Sequence, residues 1–415
     1  MENAEQELTV RCCIVGGGPA GMMLGLQLAR GGVQVLVLEK HTDFLRDFRG
    51  DTVHPSTLQI IDDLGLTTRF NALPLQREST LAIQFADGML AFGDFSGLRP
   101  FPYIALVPQW DFLDLLADEA RRCANFELHM LTEATGLIHD GNDAAGRVVG
   151  VRARTSSGAT LTIHADLVVA ADGRDSVLRK ASGLPSRDLG APMDVLWFRL
   201  PREPGDPGYT HGVAGRGQFI AMIQRGDYWQ AGLVVAKGRA EALAAAPIAE
   251  FRALLARTDP ILAKRVGSLE WSDVHKLTVR VERLLRWHRP GLLLIGDAAH
   301  AMSPIGGVGI NLAVQDAVAT ANLLGPALRG DAPIEDVQLA AVQQRREWPT
   351  RVIQFIQTQM QRRLIAPALE ARGGPPNAPA ILRALSRLHV FRAIPTRVFG
   401  LGFRRERAQF GVRSE

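Results

Sequence analysis

Three glycine-containing segments, far apart in the chain, constrain the fold more than any other feature of the sequence. The first covers residues 15–21, the second residues 166–179 and the third residues 296–311. Each adjoins a short apolar run of the kind that forms a buried parallel strand. Because loops that follow parallel strands gather at one edge of a doubly wound sheet, we expect the three segments to form a single site there.

The first segment lies inside a predicted strand–helix–strand unit. Residues 10–15 predict a buried strand, Met22–Arg30 predicts a helix that stops at two glycines, and Val33–Leu38 predicts a second buried strand. This order is the βαβ unit of dinucleotide-binding folds. The sequence therefore predicts an α/β fold built on a parallel sheet.

The glycines of the first loop have separate tasks. Gly16 permits a tight turn, Gly18 lets a pyrophosphate approach the backbone, and Gly21 lets the helix pack closely on the strand. The helix N-terminus offers N–H groups and the positive end of its dipole to phosphates. Glu39, which ends the second strand, is placed to accept hydrogen bonds from a ribose diol. Alone, this motif predicts a dinucleotide without separating FAD from NAD.

The pattern of apolar residues and prolines predicts the other elements of the chain and its division into domains. Residues 168–171 and 292–295 predict buried strands and 110–122 a helix, whereas alternation at 219–223 and 229–235 predicts an inserted antiparallel sheet. Helices after about Trp348 should break at Pro349, Pro367, Pro375–Pro376 and Pro395. The predicted division is a nucleotide-binding domain of residues 1–74, 101–184 and 276–347, a sheet domain of residues 75–100 and 185–275, and a helical segment of residues 348–415.

Composition favours an ordinary globular protein of at least two domains. The chain has 415 residues, of which 47% are hydrophobic and 22% charged. No signal peptide begins the sequence, and no apolar run reaches the about 18 residues of a spanning helix. Cys12 and Cys13 alternate within the first predicted strand and are interpreted as core residues, not redox centres. We predict a cytoplasmic protein without a metal site.

The charge distribution is uneven. From Arg345 onward there are 14 arginines, no lysine and 4 glutamates, a charge of +10 against −6 for the rest. A basic amphipathic tail is typical of contact with a membrane surface or an acidic partner. Helices that pack on the protein with arginines in water are the favoured explanation of the pattern. Nothing supports nucleic-acid binding.

Residues 10 to about 345 resemble the para-hydroxybenzoate hydroxylase-like family, the class A FAD-dependent aromatic hydroxylases that include ubiquinone-pathway monooxygenases. The resemblance rests on the Asp-Gly and Gly-Asp segments together with the first loop. It implies a glutathione-reductase-type Rossmann-like FAD domain, an inserted antiparallel-sheet substrate domain and C-terminal helices. It implies these cofactor-binding residues: Gly16, Gly18, Pro19, Ala20, Gly21, Glu39, Lys40, Arg49, Gln109, Asp172, Gly173, Asp297, Pro304, Gly307, Gly309, Ile310 and Asn311.

The resemblance also assigns parts of the third segment to chemistry. Pro304 and Gly307 belong to a loop expected beside the flavin ring. Asn311 is expected to open a helix whose N-terminus faces the flavin pyrimidine, where it would stabilise negative charge. Arg49 matches an arginine near the pyrophosphate, and Gln109 matches a glutamine on the flavin side.

By this resemblance, NAD(P)H reduces FAD by transient docking, and O2 forms a C4a-hydroperoxide that hydroxylates an electron-rich ring. The loop of residues 44–49 either serves that docking or is an ordinary solvated loop. His211 is either a base or a surface residue; the surface is favoured. His300 is expected to be structural, and His54 is unassigned. The candidates for contact with a small aromatic substrate are Trp197, His211, Gln218, Met222, Tyr228 and Trp229.

Other functions stay open on the same motifs. A flavin reductase or oxidase would need the FAD site without oxygen insertion, and a flavin-binding partner protein at a membrane would need no turnover. A halogenase is disfavoured because no Trp-x-Trp-x-Ile-Pro segment occurs. Substrate class (simple hydroxybenzoates, quinone precursors or polycyclic natural products), the choice of NADH or NADPH, and oligomeric state stay open.

Overall fold

The computed structural model describes residues 6–45, 52–141, 146–215, 217–370, 376–380, 383–384 and 389–412. Within them the helices are α1 (Pro19–Arg30), α2 (Pro55–Asp63), α3 (Thr67–Asn71), α4 (Gln109–Ala120), α5 (Val177–Ser182), α6 (Arg239–Ala244), α7 (Ile248–Ala256), α8 (Pro260–Arg265), α9 (Gly309–Arg329), α10 (Asp336–Met360), α11 (Ala366–Glu370) and α12 (His389–Gly400). None of the helices in these residues is both long and apolar enough to cross a membrane.

A first sheet of eight strands carries the glycine segments. Its main path runs β19-β20-β11-β1-β2-β8, and β9 and β10 extend β11 as an antiparallel meander. The strands are β1 (Gln6–Val15), β2 (Val35–Leu38), β8 (Phe126–His129), β9 (Thr132–His139), β10 (Val148–Thr155), β11 (Thr160–Ala170), β19 (His288–Arg289) and β20 (Leu292–Leu294).

The first sheet is a mixed α/β layer whose central strands are parallel and buried. β20, β11, β1, β2 and β8 all run in the same direction. The predicted strand at residues 10–15 is confirmed and begins earlier, at Gln6. Cys12 and Cys13 are fully buried in two different core clusters on opposite faces of the sheet, which confirms their interpretation as core residues.

A second sheet of seven strands is mostly antiparallel and has the order β17-β13-β16-β15-β14-β5-β6. The chain leaves the first sheet after β11 and returns at β19, and most of the second sheet lies between. Its strands are β5 (Thr80–Phe85), β6 (Gly88–Asp94), β13 (Met193–Pro201), β14 (His211–Gly215), β15 (Gln218–Gln224), β16 (Tyr228–Ala236) and β17 (His275–Leu277).

Two small sheets join these layers. One has the order β3-β7-β4 and the other β12-β18-β21. Their strands are β3 (Thr52–Val53), β4 (Gln76–Glu78), β7 (Ile104–Leu106), β12 (Ser186–Asp188), β18 (Glu282–Leu284) and β21 (His300–Ala301). β18 and β21 place the third glycine segment beside the connection between the two large sheets.

The predicted helix break at Pro349 is wrong, because α10 continues through that residue. Proline removes one helical hydrogen bond and costs about 3 kcal/mol. Buried side chains in the turns before and after it, Arg346, Thr350 and Ile353, hold both turns against the protein. Pro395 likewise lies inside a helix, α12. Packing of the helix face therefore outweighs the local preference of proline.

Candidate flavin site

The carboxyl ends of four neighbouring strands carry the predicted segments. In the order β20-β11-β1-β2, these ends lead into the Gly-Asp segment, the Asp-Gly segment, the first glycine loop and Glu39. Backbone bonds join adjacent ends: Ile295 N donates to Ala170 O at 3.0 Å, and Ala171 N donates to Val15 O at 2.7 Å. The sheet therefore gathers residues that are about 280 positions apart in the chain.

Two glycines of the first loop are required by the fold itself. Gly16 has φ +109°, and a Cβ on it would lie 2.3 Å from the carbonyl oxygen of Ala171. A Cβ on Gly21 would lie 1.9 Å from the carbonyl oxygen of Gly16. Any side chain at these positions would displace the backbone of the neighbouring strand or loop.

Gly18 differs, because no described atom lies within 4 Å of a Cβ built on it. Its backbone is extended, with φ −75°, so other residues can adopt it. The open space lies at the N-terminus of α1, whose first amides have no acceptor within the helix. This combination fits a pyrophosphate, which needs both free donors and the absence of a side chain.

The carboxylate of Glu39 is buried and held by the backbone around it. Gly17 N donates to Oε2 at 2.9 Å, and His41 N donates to Oε1 at 3.0 Å. The ring nitrogen Nδ1 of His41 lies 2.5 Å from Oε1. A carboxylate accepts about four hydrogen bonds, so these contacts fix its orientation beside the glycine loop. Lys40, the adjacent residue, is exposed.

Asp172 holds the start of α5 and keeps one oxygen without a partner. Its Oδ2 accepts from Val177 N at 2.9 Å and from Leu178 N at 3.3 Å. Its Oδ1 is buried without a hydrogen-bond partner among the described residues. Burial raises the pKa of this carboxyl, against the hydrogen bonds from α5. A buried acceptor at the carboxyl end of β11 fits a donor from a bound group, such as a hydroxyl.

An ion pair joins the second and third segments. Arg174 Nε lies 2.9 Å from Asp297 Oδ2, and Arg179 Nη1 donates to the carbonyl of Ala298 at 3.4 Å. Arg179 also pairs with Glu282 at 3.0 Å. Asp297 thus lies at the predicted edge, with its carboxylate oriented by Arg174. Sequence reasoning missed Arg174, although its position directly after Gly173 was a signal.

The loop at Pro304 has a backbone that only glycine tolerates easily. Gly306 and Gly307 have φ of +78° and +61°. A Cβ on Gly307 would lie 2.9 Å from the side chain of Thr52, and one on Gly306 would lie 3.0 Å from the ring of Phe399. α9 starts at Gly309, slightly earlier than predicted. Ile310, in its first turn, is buried.

Asn311 connects this loop to the β3–α2 segment. Its Oδ1 accepts from His54 N at 2.8 Å and from Thr57 Oγ1 at 2.7 Å. Its Nδ2 donates to the carbonyls of Thr52 at 3.0 Å and Gly307 at 3.1 Å. The side chain is therefore saturated within the protein. A contact from Asn311 to a cofactor must come from its backbone N–H.

Two glutamines of α10 and one just beyond it hold the other side of the loop, and sequence reasoning missed all three. Gln354 Nε2 donates to Ala301 O at 3.1 Å, and Gln357 Nε2 donates to Ile305 O at 2.8 Å. Gln361 Nε2, just beyond the helix, donates to Ser303 Oγ at 2.8 Å. All three are fully buried. Their spacing places them on one helix face, a signal visible in the sequence.

The imidazole of His54 is fully buried beside the same loop. Neither ring nitrogen has a hydrogen-bond partner among the residues that the structure describes. Burial lowers the pKa of His54 to about 4, although the backbone of Phe399, Gly306 and Gly307 opposes the shift. His54 is therefore neutral in the folded protein near pH 7.

Because of His54, the free energy of unfolding should decrease as the pH falls. Its folded pKa of about 4 lies below the ordinary 6.5, so the unfolded chain takes up the proton first. The stabilisation is complete above pH 6.5 and lost toward pH 4. We expect a loss of about 2 kcal/mol between pH 6.5 and 5, measured by urea unfolding. His54→Asn should remove this part of the slope; an unchanged slope would contradict the assignment.

A buried ionic cluster lies behind the third segment. His300 Nε2 lies 2.5 Å from Asp316 Oδ2, and Arg346 Nε lies 3.0 Å from Asp316 Oδ1. Asp316 Oδ2 also accepts from Gly296 N at 3.1 Å. Burial alone would raise the pKa of Asp316, but His300 and Arg346 hold it below its ordinary value. His300 is structural in these contacts, consistent with its interpretation.

The two faces of the second sheet separate the predicted substrate residues. His211, Met222 and Trp229 are buried, and they lie on the face packed against α7 and α8. Gln218 lies on the same face, where its Oε1 accepts from Thr258 Oγ1 at 2.7 Å. The prediction that these four line one pocket with Trp197 is wrong, since strand residues alternate between faces.

His211 is also not the surface residue that was favoured. It is 6% exposed, and its ring meets that of Trp229 edge-on at 5.8 Å between centroids. Burial lowers its pKa, against a contact with the backbone of Tyr209. A role as base toward a ligand on the opposite sheet face is excluded by its direction.

The opposite, inner face of the second sheet meets the loop at Pro304, through Ile305. Trp197 and Phe219 pack with Ile305 in one apolar cluster. A Cβ on Gly232 would lie 2.7 Å from the Trp197 ring, so that ring lies flat over the sheet. Phe219 was missed, although its odd position in β15 places it on this face.

Tyr228 also lies on the inner face, at the end nearest α4. The guanidinium of Arg199 lies 5.1 Å from the Tyr228 ring and 5.9 Å from the Trp110 ring. Trp110 follows Gln109, which is buried at the start of α4. Arg199 therefore links Tyr228 to the first turn of α4, which also carries Gln109. Arg49 and most of the loop of residues 44–49 lie outside the described residues.

Comparisons with known proteins agree with this geometry. A family model described as an FAD binding domain matches residues 9–356. The 6-methylpretetramide 4-monooxygenase of Streptomyces rimosus is 32% identical over 391 residues, which are 93% of this chain and 91% of that protein. A 12-dehydrotetracycline 5-monooxygenase/anhydrotetracycline 6-monooxygenase of the same species is 30% identical, over 78% of this chain and 64% of that protein.

A solved structure shows the same fold. The OxyS anhydrotetracycline hydroxylase from Streptomyces rimosus superposes with a TM-score of 0.74 at 24% identity, covering 95% of this chain and 76% of that one. The family match spans both large sheets and the Gly-Asp segment. The chain therefore belongs to the class A FAD-dependent monooxygenases, the aromatic hydroxylase family that its glycine segments resembled.

Proposed function

We propose that this protein uses FAD, NAD(P)H and O2 to hydroxylate an aromatic substrate, and that the substrate is polycyclic. One observation carries the proposal: Ile305 of the Pro304–Gly309 loop packs against the apolar cluster on the inner face of the second sheet, and α9, which follows the loop, packs beside Gly296 at the carboxyl end of β20. A flavin at that edge would present its ring to that face. Curated relatives named for tetracycline-type substrates support the polycyclic class.

FAD, when bound, supplies the redox chemistry and the activation of oxygen. Gly18 and the first amides of α1 would hold its pyrophosphate, Glu39 its ribose, and Asp172 and Asp297 its hydroxyl groups. The other proposed cofactor contacts are Pro19, Ala20, Gly173 and the backbone of Asn311. NAD(P)H would dock transiently, because the sequence carries no second glycine loop for it.

The protein's own part is positioning and exclusion of water. The N-terminus of α9 directs its dipole toward the loop, where it would stabilise negative charge on a bound ring. The pairs from Asn311 and Gln357 fix the loop on both sides, so its amides need no reorganisation. Apolar residues above it would keep water from the reacting atoms.

We also propose a division of labour between the two large sheets. Residues 75–100 and 185–275 would form an inserted substrate domain, over a cofactor domain of residues 1–74, 101–184 and 276–347. Trp197 and Phe219 on the inner face would stack on a planar substrate. Tyr228, with Arg199 beside it, would offer a polar contact at the α4 end.

Two tryptophans on neighbouring strands test this orientation. Trp197→Ala should raise KM for the aromatic substrate about tenfold or more, because it removes the stacking surface, and should cost less stability than loss of a fully buried tryptophan, because Trp197 is only partly buried. Trp229→Ala should instead lower the free energy of unfolding by about 3–5 kcal/mol, because that ring fills the outer core. Steady-state kinetics and urea unfolding separate the two effects. Equal KM values for Trp197→Ala and the parent would contradict the proposed face.

The substrate class is tested with a panel of compounds. Tricyclic and tetracyclic phenols, naphthols and simple hydroxybenzoates are each added to the yellow protein with NAD(P)H. We expect the polycyclic phenols to accelerate NAD(P)H oxidation most. Stimulation confined to hydroxybenzoates would overturn the polycyclic assignment, and no stimulation at all would favour a reductase or oxidase.

A further inference from the structure

The exposed face of α10, opposite to the glutamines that hold the flavin loop, borders a cleft of about 640 Å³ with β12 and β18. This volume is in the range of small-molecule sites. Four arginines line the cleft: Arg187, Arg283, Arg351 and Arg362. The reaction proposed above uses none of them.

Two of these arginines lie side by side although their positive charges repel each other. Arg187 and Arg283 are directly opposed partners on the antiparallel strands β12 and β18, an arrangement that is destabilising for like charges. Arg283 is 7% exposed, and its buried Nε has no hydrogen-bond partner among the described residues. Burial lowers the pKa of Arg283, and Arg351 and Arg187 lower it further, against Glu347. An anion between these groups would relieve the repulsion.

Flat apolar groups complete the lining. Trp348 and Phe355 are 51% and 64% exposed, unusual values for such large rings. Both line the cleft, together with Val352 and Leu189. The described residues that line the cleft include these four arginines and no aspartate or glutamate. Glu347 lies 3.9 Å from Arg351, and Asp188 and Glu282 adjoin Arg187 and Arg283 in their strands.

We propose that this cleft binds a small planar aromatic anion, with its carboxylate or phosphate between Arg187, Arg283 and Arg351 and its ring against Trp348 and Phe355. Arginine forks match both kinds of anion and also stack on flat rings. The cleft lies on the exposed face of α10, whereas the buried face of α10 holds the loop at Pro304, and Arg283 reaches Gln354 from the cleft side. This site does not depend on the proposed reaction.

Calorimetric titration tests the site on the FAD-loaded protein. The probes are 2-naphthoate and 2-naphthyl phosphate, with 2-naphthol as the uncharged counterpart. The variant is R187Q/R351Q, because both side chains are exposed and Arg283 also donates to Gln354 at 2.6 Å. The matched control is R239Q/R257Q, which removes two exposed arginines near the outer face of the second sheet.

We expect both anionic probes to bind the parent and the control equally, and to bind R187Q/R351Q at least about tenfold more weakly. Affinity for 2-naphthol should be the same in all three. Equal binding of the anions to parent and R187Q/R351Q would overturn the proposal. The proposal would also be overturned if the parent sediments with phosphatidylglycerol vesicles, R187Q/R351Q does not, and the naphthyl anions bind both proteins equally. That result would show that this face contacts membranes.

Discussion

Gly18→Val gives a folded protein that no longer retains FAD. A Cβ at this position meets no described atom within 4 Å, and the backbone conformation suits any residue, so the fold should tolerate valine. The same space is where a pyrophosphate must approach the α1 amides. Loss of two charge-assisted hydrogen bonds, each about 1.5–3 kcal/mol, lowers FAD affinity at least about 100-fold. Flavin absorbance after gel filtration and the unfolding midpoint measure both properties.

Gly136→Val is the matched control. Gly136 lies in β9, also with no described atom within 4 Å of a built Cβ, but in a strand whose end does not lead into any of the three glycine segments. That variant should stay yellow. Gly16→Val should fail differently, by unfolding, because its Cβ would collide with Ala171. A Gly18→Val protein that keeps a full complement of FAD would refute the pyrophosphate placement.

Asp316→Asn should lower the free energy of unfolding by about 3–5 kcal/mol, the usual effect of breaking a buried ion pair from one side. The replacement keeps the volume but leaves Arg346 and His300 facing a neutral amide, and all three side chains are at most 1% exposed. Because the folded pKa of Asp316 is lowered, its stabilisation is present above its ordinary pKa and lost only in stronger acid. Urea unfolding at pH 7 measures the loss.

Asp336→Asn is a close control, since Asp336 also pairs with one arginine and one histidine. Arg286 and His288 each lie 2.8 Å from its carboxylate, which is 41% exposed. An exposed pair is worth at most about 1 kcal/mol, so this variant should be nearly as stable as the parent. Equal losses in the two variants would show that burial does not set the strength of the Asp316 cluster.

Local patterns predicted the parts of this molecule whose causes are local. Apolar runs before Gly16 and before Gly296 are buried strands, since a parallel strand covered on both faces must be apolar throughout. The spacing of Gly16 and Gly21 identified them in the sequence. The structure gives the physical reason, because a Cβ at either position would overlap a backbone carbonyl oxygen. The meeting of the three segments followed from one topological rule, that loops after parallel strands share an edge.

Residue type alone predicted neither the sheet face to which a side chain points nor a pairing between residues that are distant in the sequence. Trp229 and Met222 were predicted as pocket residues because of their residue types. Side chains alternate between the faces of a strand, and both lie on the face that packs against α7 and α8. Pro349 predicted a helix end that packing of Arg346 and Ile353 overrides. Arg346 was counted as part of a solvated basic tail, yet it is fully buried against Asp316. Asp316 lies 30 positions before Arg346, so the residues next to Arg346 in the sequence do not indicate that it has a buried partner.

The most direct test of the central claim is turnover under ¹⁸O-labelled O2 with the compound that best stimulates NAD(P)H oxidation. Oxygen uptake, peroxide and product mass are followed together. We predict one labelled oxygen atom in the product, with much less peroxide than O2 consumed. Unlabelled or unchanged compound, with peroxide equal to the O2 consumed, would contradict oxygen insertion and identify a flavin oxidase on the same fold.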